Sequence, residues 1–316
     1  MATRFEVVLY GKNLVSLRAA GEEALNEIQR LDHQLNLYNP TSEIAHINAC
    51  AARESVHVEP GLFRLLEHAR RLHQETHGAF DITVGPLLRC WGFMGGERKI
   101  PSAKALAKAR TQVGMGLVHL DSTKRTVRFA CEGVMLDLGA IGKGYAVEQA
   151  IKLLRGCGVT SAILHGGTST IYAIGEPPDA PGWKVAIEYP AKELGACPMV
   201  ISIVVLKNEA LSVSAGWGKS FQVRDKSYGH ILDPRTGKPV SKAVLSAVIL
   251  PSATETDALS TALLTLGARG HDHIASLRRG MRTLVMWSEG RTQFRFRNKG
   301  IEAPLRDPMM MLPLPK

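Results

Sequence analysis

The chain has 316 residues, 45% of them hydrophobic and 22% charged, with a formal net charge of +10. That composition supplies one large core or two lobes and excludes a disordered chain, and no apolar run approaches the ~18 residues of a membrane-spanning helix. The cations are scattered with little aromatic interleaving, which argues against nucleic acid and leaves an anionic ligand as the functional reading of the charge.

Cys50, Cys90, Cys131, Cys157 and Cys197 are odd in number, widely spaced and without a Cys-x-x-Cys pair. Neither zinc nor a disulfide framework is indicated, and free, mostly buried thiols are expected. The opening Met1-Ala-Thr-Arg-Phe-Glu-Val-Val8 carries no basic-then-apolar leader. As it stands the sequence is expected in the cytoplasm, or in the cell envelope if a leader has been removed.

Arg4–Tyr10 reads as a strand, with Phe5, Val7 and Leu9 on one face. Apolar residues at helical spacing predict an amphipathic helix over 14–35. After it, Tyr38 is either a packed loop aromatic or a stacking surface for a planar ligand. Thr41 or Ser42 can cap a short helix through Asn48, and a further helix runs from Pro60 to His77. Gly78-Ala-Phe-Asp-Ile-Thr-Val-Gly-Pro86 reads as strand-like. Its Asp81 is costly in an apolar run unless it binds a ligand or caps the next turn.

A lysine-rich helix over 102–113 and strands over 117–120, 126–130 and 134–138 follow. The last strand leads through Gly139-Ala-Ile-Gly-Lys-Gly144 into a helix from Tyr145 to Leu154. A glycine-rich turn holding a lysine can present N–H groups and one cation to a phosphate, or simply join strand to helix. Its order matches neither a Walker loop nor Gly-x-Gly-x-x-Gly. His165-Gly-Gly-Thr168 interrupts two strands, either as a hairpin or as a close backbone approach.

Short alternating strands follow, over 183–189, 199–206, 210–214, 220–223 and 229–232, and then a buried strand over 244–250. A helix over 254–266 has Asp257 and Thr261 on one face. One carboxylate with hydroxyls is a common Mg²⁺ set, and helix capping by Thr254 or Thr256 is the plainer alternative. Strands over 282–288 and 292–296 close the sheet, with a methionine- and proline-rich tail beyond. His230-Ile-Leu-Asp-Pro-Arg-Thr-Gly237 places a histidine beside a sharp turn whose Arg235 either binds an anion or shapes the turn. Antiparallel strand runs with interspersed helices predict an α+β fold of mixed, mainly antiparallel sheets flanked by helices.

Several of these stretches together, in this order, resemble the ApbE family of FAD:protein FMN transferases. They are Gly78-Ala-Phe-Asp-Ile-Thr-Val-Gly-Pro-Leu87 with Trp91-Gly-Phe93, Asp137-Leu-Gly-Ala-Ile-Gly-Lys-Gly144, His230 to Gly237, and Asp257-Ala-Leu-Ser-Thr-Ala262. The resemblance covers residues 1–297, read as a single ApbE-like, T-fold-related catalytic domain, with 298–316 as a tail. It implies FAD as substrate and Mg²⁺ as cofactor, with FMN attached by a phosphoester to a Thr or Ser of a target protein, typically a flavin subunit of a redox pump. FAD hydrolysis to FMN and AMP, or flavin binding without turnover, are the alternatives.

By position, the resemblance implies Mg²⁺ on Ala140, Asp257 and Thr261 with Ser260 adjacent. Met1, Tyr38, Ala79, Phe80, Asp81, Asp137, Lys143 and Ile231 would line FAD, and His230 would be the general base. The family's Asn-x-Gly-Gly-Asp turn is here Leu164-His-Gly-Gly-Thr168, and a Thr-Ser-Gly strand end is here Ser212-Val-Ser-Ala-Gly216. Both departures bear on acceptor choice more than on FAD binding.

Overall fold

Period-two alternation in the strands decides which side chains share a layer, and 3.6-residue periodicity does the same for the helices. A computed structural model describes residues 3–189, 199–218, 220–224, 226–289 and 293–302. Strand β1 (Phe5–Tyr10) turns Phe5, Val7 and Leu9 inward and leads into α1 (Leu14–Leu35). The side chain of Asn13 caps α1 by accepting from the Ser16 N–H, and Ser42 does the same for α2 (Glu43–Cys50) through the Ala45 N–H. Then come β2 (Val56–His57), α3 (Pro60–Glu75), α4 (Gly85–Cys90), α5 (Ala103–Arg110), β3 (Val118–Asp121) and β4 (Thr126–Phe129). Pro60 opens α3 at a position that has no N–H bond to lose.

The second half begins with α6 (Gly142–Gly156). It continues through β5 (Ser161–Gly166), β6 (Thr170–Ile174), β7 (Trp183–Tyr189), β8 (Met199–Leu206) and β9 (Glu209–Ala215). Two small hairpins follow, β10 (Ser220–Val223) with β11 (Lys226–Gly229), and β12 (Leu232–Asp233) with β13 (Lys238–Pro239). The chain then passes through β14 (Leu245–Leu250), α7 (Ala253–Leu266), α8 (His271–Ser276), β15 (Arg282–Glu289) and β16 (Gln293–Lys299).

Among the described residues, seven strands form one sheet in the order β1-β5-β6-β9-β14-β15-β16, antiparallel throughout. Alternation sends Leu164, Tyr172, Ala210, Val248 and Val285 to one face, where they join the core built with α1, α3, α6 and α7. Ile163, Ala173, Leu211, Ala247 and Leu284 go to the other face, which the β7–β8 ribbon covers with Trp183, Val185 and Ile187. The result is three layers of helices, sheet and ribbon, the α+β class the sequence implied, with β2, β4 and β3 as a smaller sheet to the side. No helix among the described residues is long and apolar enough to cross a membrane.

Two expected strands do not form. Residues 79–84 turn and bend because the Asp81 carboxylate accepts from both the N–H and the hydroxyl of Thr83, at 2.7 and 2.6 Å. That local ring replaces a ladder partner. Residues 134–138 pair with no strand. The Asn48 side chain instead accepts from the Leu136 N–H at 2.7 Å and donates to its C=O at 2.9 Å. The expected strand over 229–232 is broken at His230 and Ile231, between β11 and β12. The cysteines also differ from expectation: Cys50 and Cys90 are half-buried and Cys131 and Cys157 exposed. Cys197, Met1 and the tail from residue 303 lie outside the described residues.

Helix α7 is anchored hardest at its start. Ser252 caps it by accepting from the Glu255 N–H, and Glu148 of α6 accepts from the Ser252 hydroxyl at 2.6 Å and the Thr254 N–H at 3.0 Å. Glu255 receives two bonds from Arg278, at 2.8 and 2.9 Å, and lies 3.1 Å from His68 of α3. Burial would raise the Glu255 carboxyl, but the bonds from His68 and Arg278 outweigh it and bring the pKa down to about 2. Deeper along the pair, Gly144 of α6 lies against α7. A Cβ there would sit 2.1 Å from the Ala253 carbonyl oxygen and 2.7 Å from the Asp257 Cβ.

Two outcomes follow from these contacts. Glu255 holds a depressed pKa in the folded state, so its contribution is fully present above its unfolded value and is lost as pH falls from about 4.5 toward about 2. Urea titrations across that window should show Glu255→Gln removing roughly 2–3 kcal/mol of acid-dependent stability. An unchanged pH slope would detach Glu255 from the effect. Gly144→Ala should cost about 2 kcal/mol or more, because backbone cannot yield to the added methyl. Thermal unfolding measures this, and a midpoint equal to the parent's would contradict the close approach.

Candidate active site

The first turn of α6 and the start of α7 meet at one carboxylate. Ile141 caps α6 with no side-chain bond, which leaves N–H groups at the helix start without a cap. Asp257 supplies the missing acceptor, since its Oδ2 takes the Gly144 N–H at 2.9 Å. Its Oδ1 lies 3.6 Å from the Lys143 ammonium, which also donates to the Gly139 carbonyl at 3.3 Å. The helix starts at Gly142, earlier than the expected Tyr145, so Lys143 stands on its first turn rather than in a loop. Asp257 is 3% exposed, and an anion at a helix N-terminus with a cation beside it tolerates that burial.

One turn further along α7 stand Ser260 and Thr261. Ser260 is fully buried and its hydroxyl donates to the Asp257 carbonyl at 2.9 Å. Thr261 is half-buried. Both meet Ser214 of β9, whose Oγ lies 2.8 Å from Ser260 Oγ and 3.2 Å from Thr261 Oγ1. Ser246 of β14 donates to the Ser260 carbonyl at 2.7 Å, and Ser212 of β9 donates to Thr256 at 2.9 Å. Sequence reasoning did not name Ser246, and it noted Ser214 only within the Ser212–Gly216 departure, not as a partner of Ser260 and Thr261. The available signal was that Ser212, Ser214 and Ser246 fall at inward positions of core strands, where a hydroxyl is costly without a partner.

A second group gathers at residues 78–93. Ala79 and Phe80 are each 1% exposed with side chains in the core, so any ligand contact they make is through main chain. Asp81 is committed on both oxygens: Oδ1 serves Thr83, and Oδ2 lies 3.1 Å from His73, another residue that the sequence did not single out. Burial pulls the His73 pKa down, but Asp81 more than compensates and the net shift is upward. The Asp137 N–H donates to the Ile82 carbonyl, and its Oδ1 accepts from the Gly139 N–H, each at 2.7 Å. This joins the loop at 79–82 to the turn that precedes α6 and Lys143. Tyr38 is exposed, and its hydroxyl pKa is raised, by partial burial first and then by the negative charge of Asp137. Ala140 is half-buried in the same turn.

The turn at 230–237 packs on that second group at three points. The His230 ring lies 6.5 Å from the Phe93 ring, Trp91 donates to the Gly237 carbonyl at 2.8 Å, and the Arg235 side chain lies against Gly78. Arg235 shapes this turn. Its Nε and Nη2 donate to the two oxygens of Asp233, at 2.9 and 2.8 Å, while the Asp233 carbonyl takes the Gly237 N–H. Gly237, at φ +72°, adopts the left-handed backbone the turn requires. His230 and Ile231 are half-buried, between the two hairpins. The paired glycines form the β5–β6 hairpin, and the close approach is by the chain itself: a Cβ on Gly167 would meet the Thr3 hydroxyl at 2.1 Å. Leu164 is buried in the core, and Thr168 is exposed at the tip.

The donors around Asp257 are oxygens: one carboxylate, the Thr261 hydroxyl and nearby main-chain carbonyls. No cluster of three or more His, Cys, Asp or Glu able to hold a metal occurs among the described residues. An all-oxygen set with a single charge fits a hard cation such as Mg²⁺, which takes few protein ligands and fills the rest with water and substrate oxygens.

Known proteins share both sequence and shape with this chain. The ApbE family profile matches residues 1–285. A relative from Haemophilus influenzae, named FAD:protein FMN transferase, is 29% identical over 262 residues, covering 80% of this chain and 75% of its own. One of the same name from Rhodobacter capsulatus is 32% identical over 283 residues, covering 87% of this chain and 52% of its own. The crystal structure of an ApbE protein from Thermotoga maritima superposes with a TM-score of 0.81 at 27% identity, covering 90% of each chain. The apo flavinyl transferase ApbE of Pseudomonas stutzeri gives 0.79 at 27% identity, covering 94% of this chain and 95% of its own. Sequence profile and fold agree that this chain belongs to the ApbE family.

Proposed function

We propose that this protein cleaves FAD and transfers FMN to a threonine or serine hydroxyl of an acceptor protein, releasing AMP. One observation carries this reading: a chain of the ApbE family holds Lys143 and the Asp257 carboxylate 3.6 Å apart at the start of a helix. A helix N-terminus with a lysine is suited to a pyrophosphate. Relatives named FAD:protein FMN transferase support the choice of substrate. In this reading residues 1–297 act as one catalytic unit, because the elements that carry Lys143, Asp257 and Ser214 share one core.

Phosphoryl transfer requires alignment and charge neutralisation more than covalent help. Asp257, Thr261 and the Ala140 carbonyl would hold Mg²⁺, which when bound would neutralise charge on the pyrophosphate. Lys143 would move from Asp257 to a phosphate oxygen. Asp137 and Tyr38 border the same turn and would position the nucleotide. Asp81 would keep the Phe80–Ile82 main chain in place for it. The acceptor hydroxyl oxygen would bond to the phosphorus of the FMN half as the bond from that phosphorus to the bridging oxygen breaks. AMP would leave with that oxygen, and the hydroxyl proton would pass to His230, a base of suitable type.

The decisive measurement is AMP and protein-bound flavin fluorescence after incubation with FAD and Mg²⁺, with and without a threonine-containing acceptor. Equal amounts of AMP and attached flavin are expected. AMP without attached flavin would redirect the reading to FAD hydrolysis, and no AMP under any condition would leave flavin binding alone. Asp257→Ala should remove the Mg²⁺ response and slow AMP release about 100-fold or more. His230→Ala should still bind FAD while transfer falls by about 10²–10⁴-fold. Undiminished transfer would take His230 out of its role.

A further inference from the structure

We infer that Ser214 positions the metal-binding hydroxyl of Thr261 by accepting its proton. The inference rests on the metal assignment proposed above and goes beyond it to a residue in a different layer of the fold. A hydroxyl that gives a lone pair to a cation must send its proton elsewhere, and each hydroxyl has only one to send. The distances arrange the three hydroxyls as a directed chain. The Ser260 proton goes to the Asp257 carbonyl at 2.9 Å. Ser260 Oγ is then an acceptor for Ser214 at 2.8 Å. The Ser214 proton is thereby committed, and its oxygen is open to the Thr261 proton at 3.2 Å, which Thr261 shares with the Asp257 carbonyl at 3.3 Å. This order commits the Thr261 proton to Ser214 and the Asp257 carbonyl and leaves its oxygen able to give a lone pair to a cation.

The sheet is built for this. On the same inward face Ala210 and Val248 are apolar, whereas Ser214 and Ser246 stand under α7 where Ser260 and Thr261 lie. Ser246, the cross-strand partner of Ser214, fixes the helix through the Ser260 carbonyl at 2.7 Å. Ser212, two residues before Ser214, bonds to Thr256 and takes no part in the chain. It serves as an internal control of the same residue type on the same strand.

The test is a Mg²⁺ titration of the full-length protein with FAD present, read in two ways: the thermal unfolding midpoint and the rate of AMP release. Outer partners of metal ligands typically contribute 10–100-fold in affinity. Ser214→Ala should therefore raise the half-saturating Mg²⁺ concentration by about 10-fold or more in both readouts, with the rate recovered at saturating Mg²⁺. Ser214→Thr, which keeps the hydroxyl, should return the midpoint to near the parent's, and Ser212→Ala should leave it unchanged. A parental midpoint for Ser214→Ala, or an equal shift for Ser212→Ala, overturns the inference. Asp257→Ala separates the two levels of the argument. If it abolishes the Mg²⁺ response while Ser214→Ala does not alter it, only the role of Ser214 falls. If it leaves the response intact, the metal assignment falls and the role of Ser214 falls with it.

Discussion

The bond from the Gly144 N–H to Asp257 Oδ2, 2.9 Å long and inside the protein, is the constraint around which the site is arranged. It brings two helices close enough that only glycine fits at position 144, and it places a buried carboxylate at a helix N-terminus. The helix start and the Lys143 ammonium, 3.6 Å away, offset the cost of burying that carboxylate. The same contact sets where the anionic end of a ligand could lie, because the lysine and the helix N-terminus are directed at one place. The cap that α6 lacks in its own sequence comes from α7.

Around this bond, polar side chains substitute for regular structure. Asn48 pairs with both main-chain groups of Leu136, acting as a neighbouring strand would. Asp81 closes a ring on Thr83 and holds His73 with its other oxygen. Asp233 closes a second ring on Arg235. Each device satisfies buried polar groups while leaving the backbone irregular, and buried irregular backbone persists only when it is satisfied in this way. The three devices hold the segments that border Lys143 and carry His230. Rigid hydrogen-bonded loops on a sheet-and-helix scaffold suit a reaction that depends on alignment.

The antiparallel sheet also explains why the hydroxyls beneath α7 matter. One face of β9 and β14 is apolar where it meets the general core and bears serines where it meets Ser260 and Thr261. In a low-dielectric interior such a network rigidifies the groups it joins when every member has a partner. Hydroxyls from two layers, the sheet and α7, thus meet in one network.

Much of this was legible in the residues. The helix over 14–35, the helix expected over 60–77 and found over 60–75, and the alternating strands followed from periodicity, because burial on one face imposes a repeat on the sequence. Asp257 and Thr261 sharing a face followed from helical spacing, and the ordered motifs pointed to the family. The strands expected over 79–84 and 134–138 were misread because alternation cannot reveal that a side chain takes the place of a ladder partner, a local one at Asp81 and a distant one at Asn48. The Asp137-to-Ile82 bond, the cap that Asp257 gives to Gly144, the placement of Ser214 under Thr261 and the commitment of Arg235 to Asp233 were decided by tertiary structure. Periodicity encodes which face is buried; which polar atoms meet there depends on how separate elements cross, and that is settled only when the layers pack.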